Sequence, residues 1–244
     1  MSDRFYSPTA SKSGAIRLDP EESHHLARVR RLGVGDQVVV FDGQGFATRA
    51  RVVSISKNTV ELEAEGPPLP DHEAEIRLTL AVAPPKGDRF DWLVEKATEI
   101  GVSRLVPLLT ERCIVDPRPA KLDRLRRTVI ESSKQCGRNR LMEISAPCPF
   151  AQWIGEGEAL PRFLAHPSGQ RLPSHERLPL GCSALLAIGP EGGYTDAELD
   201  LARAKGWSIL GLGSTILRVE TAALVGSVQL LSHVAITSEP TGGF

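Results

Sequence analysis

Nine residues, GPPLPDHEA at 66–74, constrain this chain more than any other stretch. Three of the four positions 67–70 are proline, which lacks a backbone N–H and fixes φ, so neither a helix nor a central strand runs through them. On the N-terminal side, apolar residues recur every second position. On the C-terminal side, short apolar runs alternate with segments of helical period. Two rhythms separated by a breaker predict two folding units, and 244 residues are enough for two modest ones.

Before the linker the pattern is mostly strand. QVVVF at 37–41 is rich in β-branched residues and ends at the turn pair Asp42-Gly43. Residues 47–56 and 59–65 alternate apolar and polar, and Lys57-Asn58 between them predicts a hairpin. One helix interrupts. Asp19 is placed as N-cap, Pro20 at the first helical position and Glu22 where a capping-box glutamate belongs. Residues 1–70 are expected to form a small β-barrel with one short helix, and residues 71–244 the second domain.

After the linker, strands are expected at 76–82, 104–109, 162–165, 184–188 and 208–210. Phe90, Leu93, Val94, Ala97 and Ile100 recur at helical spacing before Gly101. Leu122, Leu125, Val129, Ser132 and Cys136 form the next stripe before Gly137. Thr195 with Glu198 makes a capping box, Gly206 ends that helix, and a last helix is expected from about Glu220 to Ile236. Strands alternating with helices predict an α/β unit, a parallel sheet covered on both faces. The polar, proline-broken stretch 166–182 is expected to be a mobile loop.

Two glycine-bearing loops then stand out. Gly189-Pro190-Glu191-Gly192-Gly193 follows an apolar run and precedes the capped helix. Ligands of open parallel sheets sit in such loops at the carboxyl ends of strands. Phosphate is a poor guest: there is no GxxxxGK[ST] or GxGxxG. Glu191 at ~4 Å from a phosphate would also be repelled by about 4 kcal/mol at an effective dielectric near 20. A neutral or cationic ligand suits the loop better, and a tight turn without any ligand stays open. The second loop, LGSTILRVETA at 212–222, is expected to lie beside the first, because strand 208–210 should neighbour strand 184–188. Arg218 and Glu220 would then stand at the edge of one pocket. Capping of the last helix is an equally complete account of Glu220 and Thr221.

Net charge is −1, so any polyanion partner must be met by a local patch. Between Arg118 and Arg140 lie eight basic residues, Arg118, Lys121, Arg124, Arg126, Arg127, Lys134, Arg138 and Arg140. Only Asp123 and Glu131 oppose them, which gives about +6 and suggests either RNA contact or a solvated helix face. His24, Arg28 and Arg31 fall at i, i+4 and i+7, on one helix face opposite Leu26 and Val29, and Arg4 and Arg17 are candidates to join them. Lys86 and Arg89 precede the 90–100 helix and are further candidates. The four cysteines form no CxxC pair and have no histidine at zinc-ligand spacing, so no disulfide or metal site is expected. MSDRFYSPTA lacks the apolar core of a secretory signal, and no apolar run approaches the roughly 20 residues of a membrane span, which points to the cytoplasm.

GPEGG before a capped helix, followed by LGSTILRVETAAL, resembles the C-terminal signature of SPOUT-class RNA methyltransferases. RFY at 4–6, HHLARVRRLGVGD at 24–36, KGDRFDWLVEKATEIGV at 86–102 and SSKQCGR at 132–138 narrow the resemblance to the family that methylates uracil N3 in 16S ribosomal RNA. The resemblance implies a PUA-like RNA-binding barrel over 1–70 and a SPOUT domain with a deep trefoil knot over 71–244. It implies a homodimer with S-adenosyl-L-methionine as cofactor, acting on 16S rRNA or the assembled small subunit, with no metal and no membrane. Gly189, Pro190, Glu191, Gly192 and Gly193 match the family's first cofactor loop. Leu212, Gly213, Leu217 and Arg218 match the second, and Thr221 and Ala222 with Glu220 match the helix start beneath it. At Ser214-Thr215 the chain departs from the bulkier or basic residue the family commonly carries.

Glu220 is the first candidate for a base or orienting group at uridine N3, and Arg218 for stabilising negative charge on the uracil oxygens. An RNA-binding assembly factor with the same fold and no activity is the rival expectation. A nucleotide-phosphate enzyme is a third, disfavoured by Glu191 and the missing P-loop lysine.

Overall fold

A computed structural model describes residues 3–10, 14–115, 117–173 and 177–235. The chain divides into two compact units, Met1–Glu73 with Val129–Leu141, and Ala74–Thr128 with Met142–Phe244.

In the first unit, strands β1 (Arg4–Tyr6), β2 (Ala15–Arg17), β3 (Gln37–Phe41), β4 (Ala47–Ile55) and β5 (Val60–Glu65) form one sheet in the order β1-β3-β4-β5-β2. β4 and β5 make the expected antiparallel hairpin, with a register irregularity between Val52 and Ser54. Such an extra residue increases local twist and curls a sheet. Val38 and Val40 pack into a core with Phe5, Leu26, Val52 and Leu62, while Val39 and Phe41 pack the other way with Ala47, Leu69 and Leu141. Both faces of β3 are therefore covered, which explains why QVVVF shows no polar alternation. β1 and β2 are three residues each, too short to register as a period.

Helix α1 (Pro20–His24) starts as expected: the Asp19 carboxylate accepts from the Glu22 N–H at 2.8 Å. The reciprocal half of the capping box is absent. Glu22 instead accepts from the Tyr6 N–H at 3.2 Å and from Lys134 Nζ at 2.7 Å. After His24 the chain widens into a π-helical segment, His25–Val29, and Arg31 adopts a positive φ of 58°. The expected α-helical face carrying His24, Arg28 and Arg31 is thus not formed, and Val29 is 60% exposed, not part of a core. A π-turn advances about 4.4 residues per turn, so 3.6-residue spacing loses its meaning there.

The second unit carries strands β6 (Arg77–Val82), β7 (Arg104–Leu109), β8 (Glu143–Ile144), β9 (Cys148–Pro149), β10 (Arg162–Gln170), β11 (Ser183–Ile188) and β12 (Ser208–Leu210). All strand pairs are parallel, in the order β12-β10-β11-β6-β7-β8 with β9 beside β7. The helices are α2 (Arg89–Glu99), α3 (Pro119–Cys136), α4 (Phe150–Trp153), α5 (Asp196–Ala204) and α6 (Val219–Ser232), and α3 contributes residues to both units. On one sheet face α4 and α5 bury Phe150, Trp153, Leu199 and Ala202 against Val106, Leu108, Leu185 and Ala187. On the other face α6 packs on β6 and β11 and touches α2. Gly226 of α6 lies so close to β11 that a Cβ there would stand 3.0 Å from Leu186.

Two expectations are corrected. β12 does not neighbour β11; β10 lies between them, because the chain leaves β11 through α5 and crosses to the far side of β10. Stretch 166–182 is not wholly loop: β10 continues to Gln170, and Leu178 bridges to Val234. Its residues 174–176 lie outside the described residues, as does Ile236 at the expected end of α6. Ala165 and Gln170 both register with Leu210, and a Cβ on either Gly169 or Gly211 would collide with the other's backbone. No described helix is long and apolar enough to cross a membrane.

Candidate cofactor cleft

At the carboxyl end of β10 the connections run in opposite directions, and the loops after β11 and β12 straddle that end. This is where open parallel sheets leave a crevice. A cleft of about 500 Å³ fills it, within the range of small-molecule sites. Gly189, Pro190, Glu191, Gly192 and Gly193 form one wall, and Leu212, Gly213, Leu217, Arg218 and Ala222 form the other. Thr221 does not line the cleft; it is exposed on the first turn of α6. Ala165, His166, Pro167, Ile188, Tyr194, Thr215, Ile216 and Val219 complete the lining. Sequence reasoning missed the β10 residues because it placed β11 and β12 side by side.

The first loop is rigidly framed. Gly193 takes a positive φ of 70° and donates to Pro190 O at 2.9 Å, which closes a tight turn. Thr195 caps α5 in a full capping box with Glu198, whose other oxygen accepts from the Glu111 N–H at 3.0 Å. Tyr194 is buried under the loop with its ring against Phe150 at 5.4 Å, and a Cβ on Gly189 would stand 2.8 Å from that ring. Burial, and then the neighbouring Glu198 charge, push the Tyr194 phenol well above its ordinary value, and its hydroxyl has no hydrogen-bond partner among the described residues.

Two arginines from neighbouring strand ends brace the same loop. Arg112 Nη1 donates to Gly192 O at 2.8 Å, and Arg89 Nη2 holds Glu191 Oε1 at 2.6 Å. Arg89 Nη1 also stands 3.7 Å from Glu220 Oε2. That oxygen is buried with no hydrogen-bond partner among the described residues, and the Glu220 side chain is only 10% exposed. Glu191 therefore arrives already paired, so its charge no longer argues strongly against an anionic guest. What disfavours phosphate is the apolar lining of Ile188, Leu212, Leu217 and Val219. Glu220 and Arg218 do not meet: Glu220 turns to Arg89, while Arg218 is exposed, lines the cleft and has no ion-pair partner among the described residues.

His166 was not singled out from the sequence. Its Nδ1 lies 2.8 Å from Ser168 Oγ, and burial, then the Arg203 charge, lower its pKa, which favours the neutral ring in the cleft.

The basic residues separate into tied and free groups. Arg4 is internal: it donates to Asn139 Oδ1 at 2.7 Å and to Arg138 O at 3.2 Å, and lies over the Phe41 ring. Arg138, 6% exposed, forks onto Glu73. Arg17 pairs with Glu61 and Arg124 with Asp91. In the Arg118–Arg140 stretch, Lys121, Arg126, Lys134 and Arg140 also have carboxylate partners, so much of the charge excess counted along the chain is neutralised in space. His24, Arg28, Arg31, Lys86 and Arg127 are exposed and have no ion pair among the described residues. Glu22, His25 and Glu131 come close enough for a metal. Lys134 Nζ occupies that space, at 2.7 Å from Glu22, 2.9 Å from Glu131 and 3.3 Å from His25 Nδ1.

Comparison with known proteins gives one consistent answer. Residues 72–230 match an RNA methyltransferase domain and residues 18–65 an RNA methyltransferase PUA domain. The ribosomal RNA small subunit methyltransferase E of a Synechocystis strain is 38% identical over 88% of this chain and 72% of its own length. That of Bacillus subtilis is 31% identical over 89% and 87%. The crystal structure of a ribosomal RNA small subunit methyltransferase E from Neisseria gonorrhoeae, bound to S-adenosyl methionine, superposes with a TM-score of 0.88 at 28% identity. It covers 96% of this chain and 98% of its own. The matched domain spans both glycine loops and the strands that carry them, and the chain belongs to the SPOUT family of small-subunit ribosomal RNA methyltransferases E.

Proposed function

We propose that this protein transfers a methyl group from S-adenosyl-L-methionine to N3 of a uridine in 16S rRNA of the small ribosomal subunit. The observation that carries the reading is the cleft itself. Two glycine loops present backbone groups on opposite sides of an apolar floor, which suits an adenosine whose edge seeks hydrogen bonds and whose faces seek apolar contact. The unpartnered Tyr194 hydroxyl adds a buried polar group at the same wall. The relative from Neisseria, with its bound cofactor, supports the assignment.

When bound, the cofactor supplies an activated methyl on a sulfonium. The chain's own residues must hold the uridine in line and manage its N3 proton. Glu220, with an unmatched oxygen, is proposed to accept or orient that proton, and Arg89 keeps the carboxylate near the loop. Arg218, free at the cleft edge, is proposed to stabilise charge on the uracil oxygens. His24, Arg28, Arg31, Lys86 and Arg127 are proposed to meet phosphates. We further propose that the domains divide near residue 70 and that the protein works in the cytoplasm as a homodimer. Val228 on α6, 48% exposed on a helix otherwise rich in apolar residues, supports a partner there. A trefoil knot is proposed because Ala165 and Gln170 both align with Leu210, so the chain wraps the β12 end closely.

The test is mass spectrometry of nucleosides after small subunits from a deletion strain are treated with protein and labelled cofactor. A new 3-methyluridine is expected; cofactor and RNA binding without methyl transfer would replace this reading with that of an inactive assembly factor. Glu220→Gln and Arg218→Ala should each slow single-turnover methylation with cofactor binding intact, and wild-type rates would remove them from catalysis.

A further inference from the structure

A second cavity, about 420 Å³, opens behind the second glycine loop and shares Leu212 and Gly213 with the cofactor cleft. Its polar lining is Arg171, Arg177, Gln229, Ser232 and His233. Among the described residues no carboxylate lines it, and neither arginine has an ion pair or hydrogen bond. His233 Nε2 is buried with no hydrogen-bond partner among the described residues. The base of the cavity is fixed: His233 O accepts from the Leu178 N–H at 2.8 Å, and the Ala235 N–H donates to Leu178 O at 2.9 Å. A buried imidazole nitrogen without a partner beside two unpaired guanidinium groups needs an explanation.

We infer that this cavity is an oxyanion site that takes a backbone phosphate of the substrate RNA; the inference rests on the reading of the protein as an rRNA methyltransferase. Arginine forks match phosphate oxygens, and an imidazole N–H adds a third donor. The carboxyl end of α6 lies here and attracts cations by itself. Its half-charge is outweighed by two full guanidinium charges, and it does not account for an open cavity. The cofactor's own carboxylate is the other source of an oxyanion. Its tail also carries an ammonium group, which would face two guanidinium groups with no carboxylate among the described lining residues to receive it. A phosphodiester carries only negative charge. The site would hold the RNA strand next to the loop that walls the cofactor cleft.

The experiment compares wild type with Arg171→Ala/Arg177→Ala and Arg171→Lys/Arg177→Lys. Binding to purified 16S rRNA is measured across a salt series, cofactor Kd by calorimetry and oligomeric state by sedimentation. The alanine variant should bind RNA about tenfold more weakly near 0.1 M salt, and its salt slope should be less steep by about 0.7 to 0.9 per lost contact. The lysine variant should recover most of the slope. Cofactor Kd and oligomeric state should match wild type. Unchanged RNA affinity and slope would overturn the site. Weakened cofactor binding would reassign it to the cofactor tail, and altered sedimentation would reassign it to a partner subunit; either result overturns the inference. Wild-type methylation in parallel separates the outcomes: if wild type methylates rRNA and the variant binds it equally well, only the phosphate site fails.

Discussion

The two loops that wall the candidate cofactor cleft contrast in how they are held. Loop 189–193 is tied by Arg112 at 2.8 Å, by Arg89 at 2.6 Å, by its own turn and by the buried Tyr194 ring beneath. Loop 211–218 is anchored at its start by Gly211 N–H to Gln170 O at 2.8 Å. Beyond that, no side-chain hydrogen bond or ion pair holds 212–218 among the described residues, and Ile216 is 89% exposed. The first loop is formed before a ligand arrives. The second has little to hold it and belongs to the low-stability end of the structure, so ordering it costs free energy that binding must offset.

That contrast is broken most severely at Tyr194. Tyr194→Ala removes the buried ring and should cost about 3–5 kcal/mol of stability, measured by urea unfolding, together with cofactor binding. Tyr194→Phe deletes only the unpartnered hydroxyl and should be close to neutral; a large loss would mean that the hydroxyl is satisfied after all. Arg89→Ala frees Glu191 and leaves Glu220 without its nearest cation. Arg89 is about one-third exposed and stands 3.7 Å from Glu220, so a stability loss of about 1–2 kcal/mol is expected, less than for a fully buried pair. Cofactor affinity should fall about tenfold, and an unchanged Kd by calorimetry would show that the brace is idle.

The less restrained side is probed by Ile216→Ser. Stability should change by no more than about 0.5 kcal/mol, while cofactor affinity drops several-fold, since Ile216 lines the cleft but is otherwise exposed. Equal losses in both measurements would contradict the contrast. The smallest effect is at His166. Its folded pKa lies below the ordinary value, so the unfolded chain takes up the proton first. Its contribution to stability is therefore lost as pH falls from about 6.5 through the folded pKa. Over the same window an imidazolium would add positive charge to the lining of a cleft proposed for a cofactor with a positively charged sulfur, and affinity should weaken. His166→Gln should flatten this pH dependence in calorimetric titrations.

The residues of both glycine loops were legible because each stands at a strand end before a capped or dipole-favoured helix start, and local rules reach that far. The Asp19 cap, the Thr195–Glu198 box and the hairpin at Lys57-Asn58 were legible for the same reason. Arg89 as a brace, the β10 lining and the true partners of Arg4 and Arg138 were not. Each depends on residues far away in sequence: Arg89 meets Glu191, and Arg4 meets Asn139.

The two rhythms, the breaker between them, most of the elements and the family can be read along the chain. These follow from backbone sterics, side-chain period and short-range capping, which act over a few residues. That β10 separates β12 from β11 emerged only on folding. So did which basic residues are neutralised and which remain free, because ion pairs form between side chains that folding brings together. The basic stretch 118–140 reads as a strong positive patch along the chain. In the folded protein Asp91, Glu22, Glu73 and Asp71 take up much of that charge, while Arg171 and Arg177, inconspicuous in sequence, line a cavity with no ion pair among the described residues.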